Sequence, residues 1–340
     1  MYLNLFTLVF FLFFSMGFAR SGFAARTARA LLLPLLLSLC LAHCTARGSL
    51  RRSRLLKGAA AALTIPAATI EIYARLPPPP SQPPLELPSF PSEAERIVVV
   101  IPGAGGPDEN TLAIRLALAQ AIADSTHGSE SELDARRDAR RDARGSGART
   151  AVVELDWRRW KGDELRAPYN ARRVGAQLGR ALAQLAPRTI HLVGVSVGAH
   201  VADAAAEALS GDRPSSANVP HVHLTLCDPF CGKGLLDLLF PERAFGVREF
   251  GASAHYCEAL INCDDPVPTT NLPLRRALNY DLTAAAARRS FAPLEGDSLH
   301  SWPAAWYAAN CREMLQMAGK RPTHGGKGAT NERGKVVAVE

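Results

Sequence analysis

The sequence predicts an α/β fold, in which a mostly parallel sheet is covered by helices on both faces. Three observations lead to this class. Short apolar runs alternate with longer segments of helical periodicity from about residue 97 to residue 317. The apolar runs contain few polar residues, as expected for strands buried on both faces. Hydrophobic residues make up 47% of the 340-residue chain, which is enough for a sizeable core.

The strands are predicted where short runs rich in Val, Ile and Leu occur: Ile97–Ile101, Thr150–Leu155, Ile190–Val193, His221–Cys227, a run within Ala252–Ile261, and Leu278–Leu282. The helices are predicted where longer, mostly alanine-rich segments occur: Asn110–Ala123, Tyr169–Leu185, Val197–Leu209 and Trp302–Met317. Ser210-Gly211 is a suitable C-terminal end for the third helix. Because the two types alternate, neighbouring strands are expected to run parallel.

Residues 1–46 are predicted to be a hydrophobic targeting or anchoring leader. Residues 2–19 are uncharged and almost wholly apolar, and a second apolar run, Ala30–Ala42, follows an arginine-bearing segment. This pattern is typical of a secretory signal or a membrane anchor, and the absence of acidic residues before Glu71 also fits an organellar transit sequence. We therefore expect a secretory-route or membrane-associated protein, or alternatively one directed to a plastid or mitochondrion.

The predicted folded domain spans 95–318. It follows a basic and then proline-rich linker at 47–94, which contains PPPPSQPP and cannot join a sheet. A charged insertion at 129–149 contains the repeat DARRDARRDAR, which has no apolar face and predicts a solvated helix or a disordered segment. The Gly/Lys-rich residues 319–340 are predicted to be a flexible tail.

The distribution of charge argues against a nucleic-acid partner. Of the formal net charge of +7, residues 1–75 contribute +8, from nine Lys/Arg and one acid, so the other 265 residues sum to −1. In the insertion the basic residues alternate with Asp134, Asp138 and Asp142. No basic, aromatic-bearing surface is therefore predicted.

Five cysteines lie outside the leader: Cys227, Cys231, Cys257, Cys263 and Cys311. Their spacings match no common zinc-binding pattern, so no metal site is predicted. In an oxidising compartment the first four could form two disulfides. Buried free thiols are the other interpretation, and the sequence leaves both open.

Ser196 is the candidate nucleophile. It lies in GVSVG, between a predicted strand and a predicted helix, and this context distinguishes it from the many chance matches to G-x-S-x-G. A sharp strand-turn-helix exposes such a serine at the carboxyl edge of the sheet. Gly194 and Gly198 are then required, because a Cβ at either position would clash with the neighbouring strand and helix. The alternative is a serine in an ordinary turn.

A serine hydroxyl becomes reactive only when a base removes its proton, and an acid must orient that base. Asp228 directly follows a predicted strand, which Pro229 ends, so its carboxylate should lie at the edge of the sheet. It is the expected acid, although a strand-end cap would look the same, and Asp264 and Asp265 after the next strand are alternatives. The expected base is His300, in the loop before the last helix.

The predicted oxyanion hole consists of the backbone N–H groups of Val197 and Ala104. Val197 follows the serine, and Ala104 lies in PGAGG after the first strand, where glycines allow close backbone approach. A dinucleotide site is the competing interpretation of this loop. It lacks G-x-G-x-x-G spacing, however, and Pro107 removes an N–H that a phosphate would need. No cofactor is therefore predicted.

Four blocks of the sequence resemble the α/β-hydrolase lipases of the pancreatic-lipase type, which include phospholipases A1. They are VVELDW at 152–157, YNARRVGAQLGRAL at 169–182, IHLVGVSVGAHVAD at 190–203 and LTLCDP at 224–229. His300-Ser-Trp loosely resembles the family's histidine block. The resemblance implies a serine esterase acting on lipid acyl esters through Ser196, His300 and Asp228. A thioesterase or small-ester esterase, and a non-catalytic binding protein on the same scaffold, are the alternatives.

The chain departs from the family pattern at three places. Val195 replaces the usual histidine of the elbow, Pro102 replaces a histidine before the oxyanion glycine, and the cysteine-bounded lid is not recognisable. The family's lid activation and triglyceride specificity are therefore not expected to carry over. The apolar segment Gly234–Phe245 could cover the site instead, or form an ordinary core helix.

Overall fold

The computed structural model describes residues 69–78, 84–133, 149–211, 220–265, 267–293, 297–320 and 332–340. The predicted leader at 1–46, residues 134–148 of the predicted insertion and residues 321–331 of the predicted tail lie outside these ranges. The chain divides into two compact units, 1–76 and 77–340. In the first unit, residues 69–75 are helical. None of the described helices has the length and apolar character needed to cross a membrane.

The second unit contains one seven-stranded sheet that is parallel throughout, which confirms the predicted α/β class. Its strands are β1 (Arg96–Ile101), β2 (Thr150–Glu154), β3 (Thr189–Val195), β4 (His221–Cys227), β5 (Tyr256–Ile261), β6 (Leu278–Asp281) and β7 (Val336–Ala338). Their order across the sheet is β2-β1-β3-β4-β5-β6-β7. Residues 97–101 of β1 are all fully buried, as expected for a strand that is covered on both faces of a parallel sheet.

Helices cover both faces of this sheet. They are α1 (Glu109–Leu133), α2 (Ala167–Leu185), α3 (Gly198–Gly211), α4 (Leu235–Leu239), α5 (Phe245–Glu249) and α6 (Trp302–Lys320). The apolar residues of α2 and α3 belong to one buried cluster with one face of the sheet. Those of α1 and α6 belong to a second cluster on the other face. The prediction of helices on both faces is therefore confirmed.

Two glycines bring α2 and α3 close together. A Cβ on Gly175 would collide with the carbonyl oxygen of Val201, and one on Gly179 would lie 2.5 Å from that of Ala205. Real Cβ atoms do not tolerate such contacts, so the close approach of these helices depends on both glycines. The two helices therefore pack tightly together on the face of the sheet that α3, the helix after β3, covers.

The structure differs from the sequence-based elements at both ends of the sheet unit. Helix α1 continues past the predicted end at Ala123 to Leu133 and so enters the predicted charged insertion, for which a helix was one of the two predicted forms. Strand β7 lies in the predicted flexible tail, where its three exposed residues pair with the edge of β6. Leu85, Leu87 and Phe90 of the predicted linker pack against the core.

The strand order reverses between β1 and β3, because β2 lies on one side of β1 and all later strands lie on the other. The chain leaving β1 leads to α1 on one face, whereas the chain leaving β3 leads to α3 on the opposite face. In open α/β sheets such a reversal leaves a crevice at the carboxyl ends of the strands, where ligands commonly bind. The loops at 102–108 and 196–197 flank this crevice.

Candidate functional site

Ser196 directly follows β3 and has a left-handed backbone conformation, with φ of 54°. This conformation costs a residue other than glycine about 1–2 kcal/mol. Two backbone hydrogen bonds hold it in place: the N–H of Ser196 donates to the Cys227 carbonyl at 2.9 Å, and its own carbonyl accepts from the N–H of Phe230 at 3.1 Å. Both bonds lead to the segment around Asp228, so the serine and that aspartate are positioned together.

The glycines on either side of Ser196 lie where a side chain would not fit. A Cβ on Gly194 would lie 2.9 Å from the Cα of Ala199, and one on Gly198 would lie 2.6 Å from the carbonyl oxygens of Ile101 and Pro102. An added Cβ would therefore clash with the helix at Gly194 and with the end of the neighbouring strand at Gly198. The sharp turn that carries Ser196 depends on this spacing of glycines.

His300 lies in a short 3-10 turn, Leu299–Ser301, directly before α6. Its backbone N–H donates to the side-chain oxygen of Ser298 at 3.2 Å, which fixes the start of the turn. Its Nδ1 lies 2.9 Å from Oδ2 of Asp228 and 2.8 Å from Oδ2 of Asp265. Its Nε2 is buried and has no hydrogen-bond partner among the described residues. The ring is thus held through one nitrogen, while the other makes no hydrogen bond to a described residue.

Asp228 directly follows β4 and has a left-handed conformation, with φ of 45°, and its side chain is fully buried. Its N–H donates to the carbonyl of Leu260 at 2.8 Å, and its Oδ1 accepts from the N–H of Asn262 at 3.2 Å. These bonds turn the carboxylate away from its own strand and towards His300. The structure therefore brings together Asp228 and His300, as expected for an acid and a base.

Asp265, one of the two alternatives for the acid, is also fully buried and contacts the same ring nitrogen. The hydroxyl of Thr270 donates to its Oδ2 at 2.5 Å, and the N–H of Val267 donates to its Oδ1 at 3.1 Å. The other alternative, Asp264, is exposed and makes no described contact with His300. Asp264 and Asp265 are thus adjacent in the sequence, yet the first is exposed and the second is buried.

The charges at this site shift the pKa of each group. Burial lowers the pKa of His300, but the hydrogen bonds and charges of Asp228 and Asp265 outweigh it and raise that pKa to about 10. Burial raises the pKa of Asp228 to about 8. Burial also acts to raise the pKa of Asp265, yet hydrogen bonds with His300, Asp228 and Thr270 hold it below its usual value. The site is therefore built to stabilise positive charge on the imidazole.

The loop after β1 lies directly against the serine. The indole N–H of Trp157 donates to the carbonyl of Pro102 at 2.9 Å, which anchors the loop. A Cβ on Gly103 would lie 3.3 Å from the Cβ of Ser196. The N–H groups of Ala104 and Val197 have no acceptor among the described residues. Donors without a partner are what an oxyanion hole requires, so both predicted donors have suitable surroundings.

The other described histidines and cysteines have structural environments. His191 stacks on His223 with ring centroids 4.0 Å apart, and Nε2 of His200 lies 3.1 Å from the carbonyl oxygen of Gly232. All five described cysteines are free thiols, and only Cys263 is exposed. The structure therefore contains free thiols at these positions instead of the two disulfides.

Sequence reasoning missed the residues that support the site: Asn262, Thr270, Ser298 and Trp157. Asn262 follows β5 directly, so the rule that selected Asp228 after β4 could have selected it as well. Thr270 and Ser298 lie in loops whose paths depend on tertiary structure, and no local pattern marks them. The chain matches no protein-family model, and a search of curated proteins finds no significant match.

Proposed function

We propose that this protein is a serine hydrolase with an α/β-hydrolase fold, and that it cleaves carboxylic esters through an acyl-enzyme. One observation carries the proposal. At one edge of the sheet, the strained residue Ser196 is hydrogen-bonded to the backbone beside Asp228, and Asp228 in turn holds the imidazole of His300. The acid and the base are thus in direct contact, the nucleophile is bonded to the backbone on either side of the acid, and the three follow the chain order typical of that fold.

In the proposed reaction, Nε2 of His300 accepts the proton from the Ser196 hydroxyl as its oxygen attacks the ester carbonyl. Asp228 orients the ring and stabilises the imidazolium. The N–H groups of Val197 and Ala104 donate to the developing oxyanion. His300 then protonates the leaving alcohol, and water, activated by the same nitrogen, hydrolyses the acyl-serine. These steps use only protein groups and water.

A lipid acyl ester is the proposed substrate. Besides the resemblance of the sequence, this is supported by three apolar side chains on and after α4: Leu236, Leu239 and Phe240 are 67%, 40% and 55% exposed. The N–H groups of Lys233 and Phe245 both donate to Oδ2 of Asp237, at 2.8 and 2.9 Å, which ties the ends of this segment together. The segment therefore presents an apolar surface suited to acyl chains.

The test is a turnover screen with phospholipid, triglyceride, short-chain ester and thioester substrates. Ser196→Ala should lower kcat by at least about 10³-fold, because the nucleophile is lost. Ser210→Ala is the matched control. Because Ser210 is exposed at the end of α3, turnover by this variant should equal that of the parent. Preference for long-chain lipid esters supports the proposed substrate, whereas preference for thioesters or short esters favours the alternatives. No turnover on any of them would favour a binding protein.

A metal centre is the second candidate, because ligand atoms of Asp228, Asp265 and His300 lie within 4.8 Å of one another. Two carboxylates and one imidazole are suitable ligands for several divalent ions. Treatment with a chelator separates the two functions. Turnover by the proposed hydrolase should survive it, whereas loss of turnover and recovery with Zn²⁺ or Mn²⁺ would favour the metal centre.

A further inference from the structure

Two carboxylates contact His300, the base of the proposed triad, whereas the mechanism requires only one. Oδ2 of Asp228 and Oδ2 of Asp265 lie 2.9 and 2.8 Å from the same nitrogen of His300, and neither side chain is exposed. That nitrogen carries a single hydrogen, which is therefore shared between two acceptors. One acid is sufficient to orient a catalytic histidine, so the second needs an explanation.

Each carboxylate also accepts hydrogen bonds from donors of its own. Asp228 directly follows β4 and accepts from the N–H of Asn262. Asp265 lies in the loop after β5 and is held by the hydroxyl of Thr270 and the N–H of Val267. Because each side chain has its own donors, we expect that removing either carboxylate leaves the other beside the ring.

We propose that Asp228 and Asp265 form a paired acid, in which either carboxylate alone can orient His300 and stabilise its charge. The inference rests on the proposed serine-hydrolase function and adds Asp265 to it as a second positioning residue. When Asp228 is replaced, Asp265 still accepts from Nδ1. When Asp265 is replaced, Asp228 likewise still accepts from Nδ1.

The test is a double-mutant cycle on the full-length protein, using Asp228→Asn, Asp265→Asn, the double variant and the control Asp264→Asn. Each single variant should retain kcat/KM within about tenfold of the parent, whereas the double variant should lose about 10⁴-fold, the loss expected when a triad has no acid. Asp264→Asn should be unchanged, because this exposed residue makes no described contact with His300. Thermal unfolding of all four variants shows whether each is folded.

A second measurement does not depend on turnover. The pKa of His300, followed by NMR with labelled histidine, should be lower in the double variant than in either single variant, because each carboxylate stabilises the imidazolium. A purely structural role for Asp265 would change the melting temperature and leave this pKa unchanged.

The paired acid is overturned if one folded single variant equals the double variant in both kcat/KM and the pKa of His300, because one carboxylate then carries the whole effect. Failure of the proposed function has a different signature, in which the parent protein turns over no ester. In that case the pKa of His300 across the same variants still decides the pairing.

Discussion

At the scale of single residues, strain is concentrated where the chemistry is proposed. Ser196 and Asp228 both adopt left-handed conformations directly after neighbouring strands, and each is held by backbone bonds to the next strand in the sheet. Strain of this kind persists only where surrounding contacts enforce it, and it is common at functional sites. The sequence could predict the sharp turn at Ser196 from its glycines. It could not predict the conformation of Asp228, which no glycine marks.

The raised pKa of His300 predicts an alkaline pH profile. A general base must be neutral, and a pKa of about 10 means that the ring keeps its proton until the pH approaches that value. The neutral fraction, and with it kcat/KM, should therefore increase with pH up to about pH 10. The check is kcat/KM measured from about pH 5 to about pH 11. An acid limb near the ordinary histidine pKa of about 6.5 would contradict the electrostatic account.

The contact between the loop after β1 and the serine predicts a sharp difference between two neighbouring glycines. Gly103→Ala places a methyl group 3.3 Å from the Cβ of Ser196 and should lower kcat/KM by about tenfold to a hundredfold, because a small displacement of a reacting group is costly. An added Cβ on Gly105 meets no described atom within 4 Å, so Gly105→Ala should be close to the parent. Equal kinetics for the two variants would contradict the described position of the loop.

At the scale of elements, the helices that support the serine depend on small residues rather than on large apolar side chains. Gly175 and Gly179 of α2 face the backbone of α3, and the added carbons of alanine would meet carbonyl oxygens there. Helix propensity alone would predict that alanine stabilises α2 by about 1 kcal/mol. Packing opposes propensity at these two positions and should outweigh it.

Gly175→Ala and Gly179→Ala should therefore each lower the free energy of unfolding by about 1–3 kcal/mol, the usual cost of overpacking. Gly211→Ala, at the end of α3, is the matched control, because its added Cβ meets no described atom within 4 Å. Urea denaturation measures all three. A stabilised Gly175→Ala variant would show that α2 and α3 are farther apart than described.

The sequence could predict the strands that are buried on both faces, because such strands require apolar runs; the predicted bounds of β4, for example, match the observed ones. It could not predict β7, whose three residues are all exposed and which forms only because the edge of β6 is there to pair with it. Nor could it choose between Asp264 and Asp265. Adjacent residues share one sequence environment, and only the path of the loop buries one and exposes the other.

At the scale of the whole molecule, the second unit begins earlier than the predicted domain. The unit starts at Pro77, and its described residues before β1 include Leu85, Leu87 and Phe90, which pack against the core. A chain that begins at Pro77 should therefore be more stable than one that begins at Ser92, by about 3 kcal/mol if each partly buried side chain contributes about 1 kcal/mol. Thermal unfolding of the two chains checks this. Equal melting temperatures would mean that 77–91 is only a spacer.

The central claim is that Ser196 is an activated nucleophile, and covalent labelling tests it most directly. A fluorophosphonate should react with the full-length protein at one residue, and peptide mass spectrometry should place the adduct on Ser196, because only a serine activated by a base and an oxyanion hole attacks the phosphorus. Ser196→Ala should not label, and Ser210→Ala should label at the rate of the parent. A folded parent protein that does not react, or an adduct on any other residue, would contradict the account.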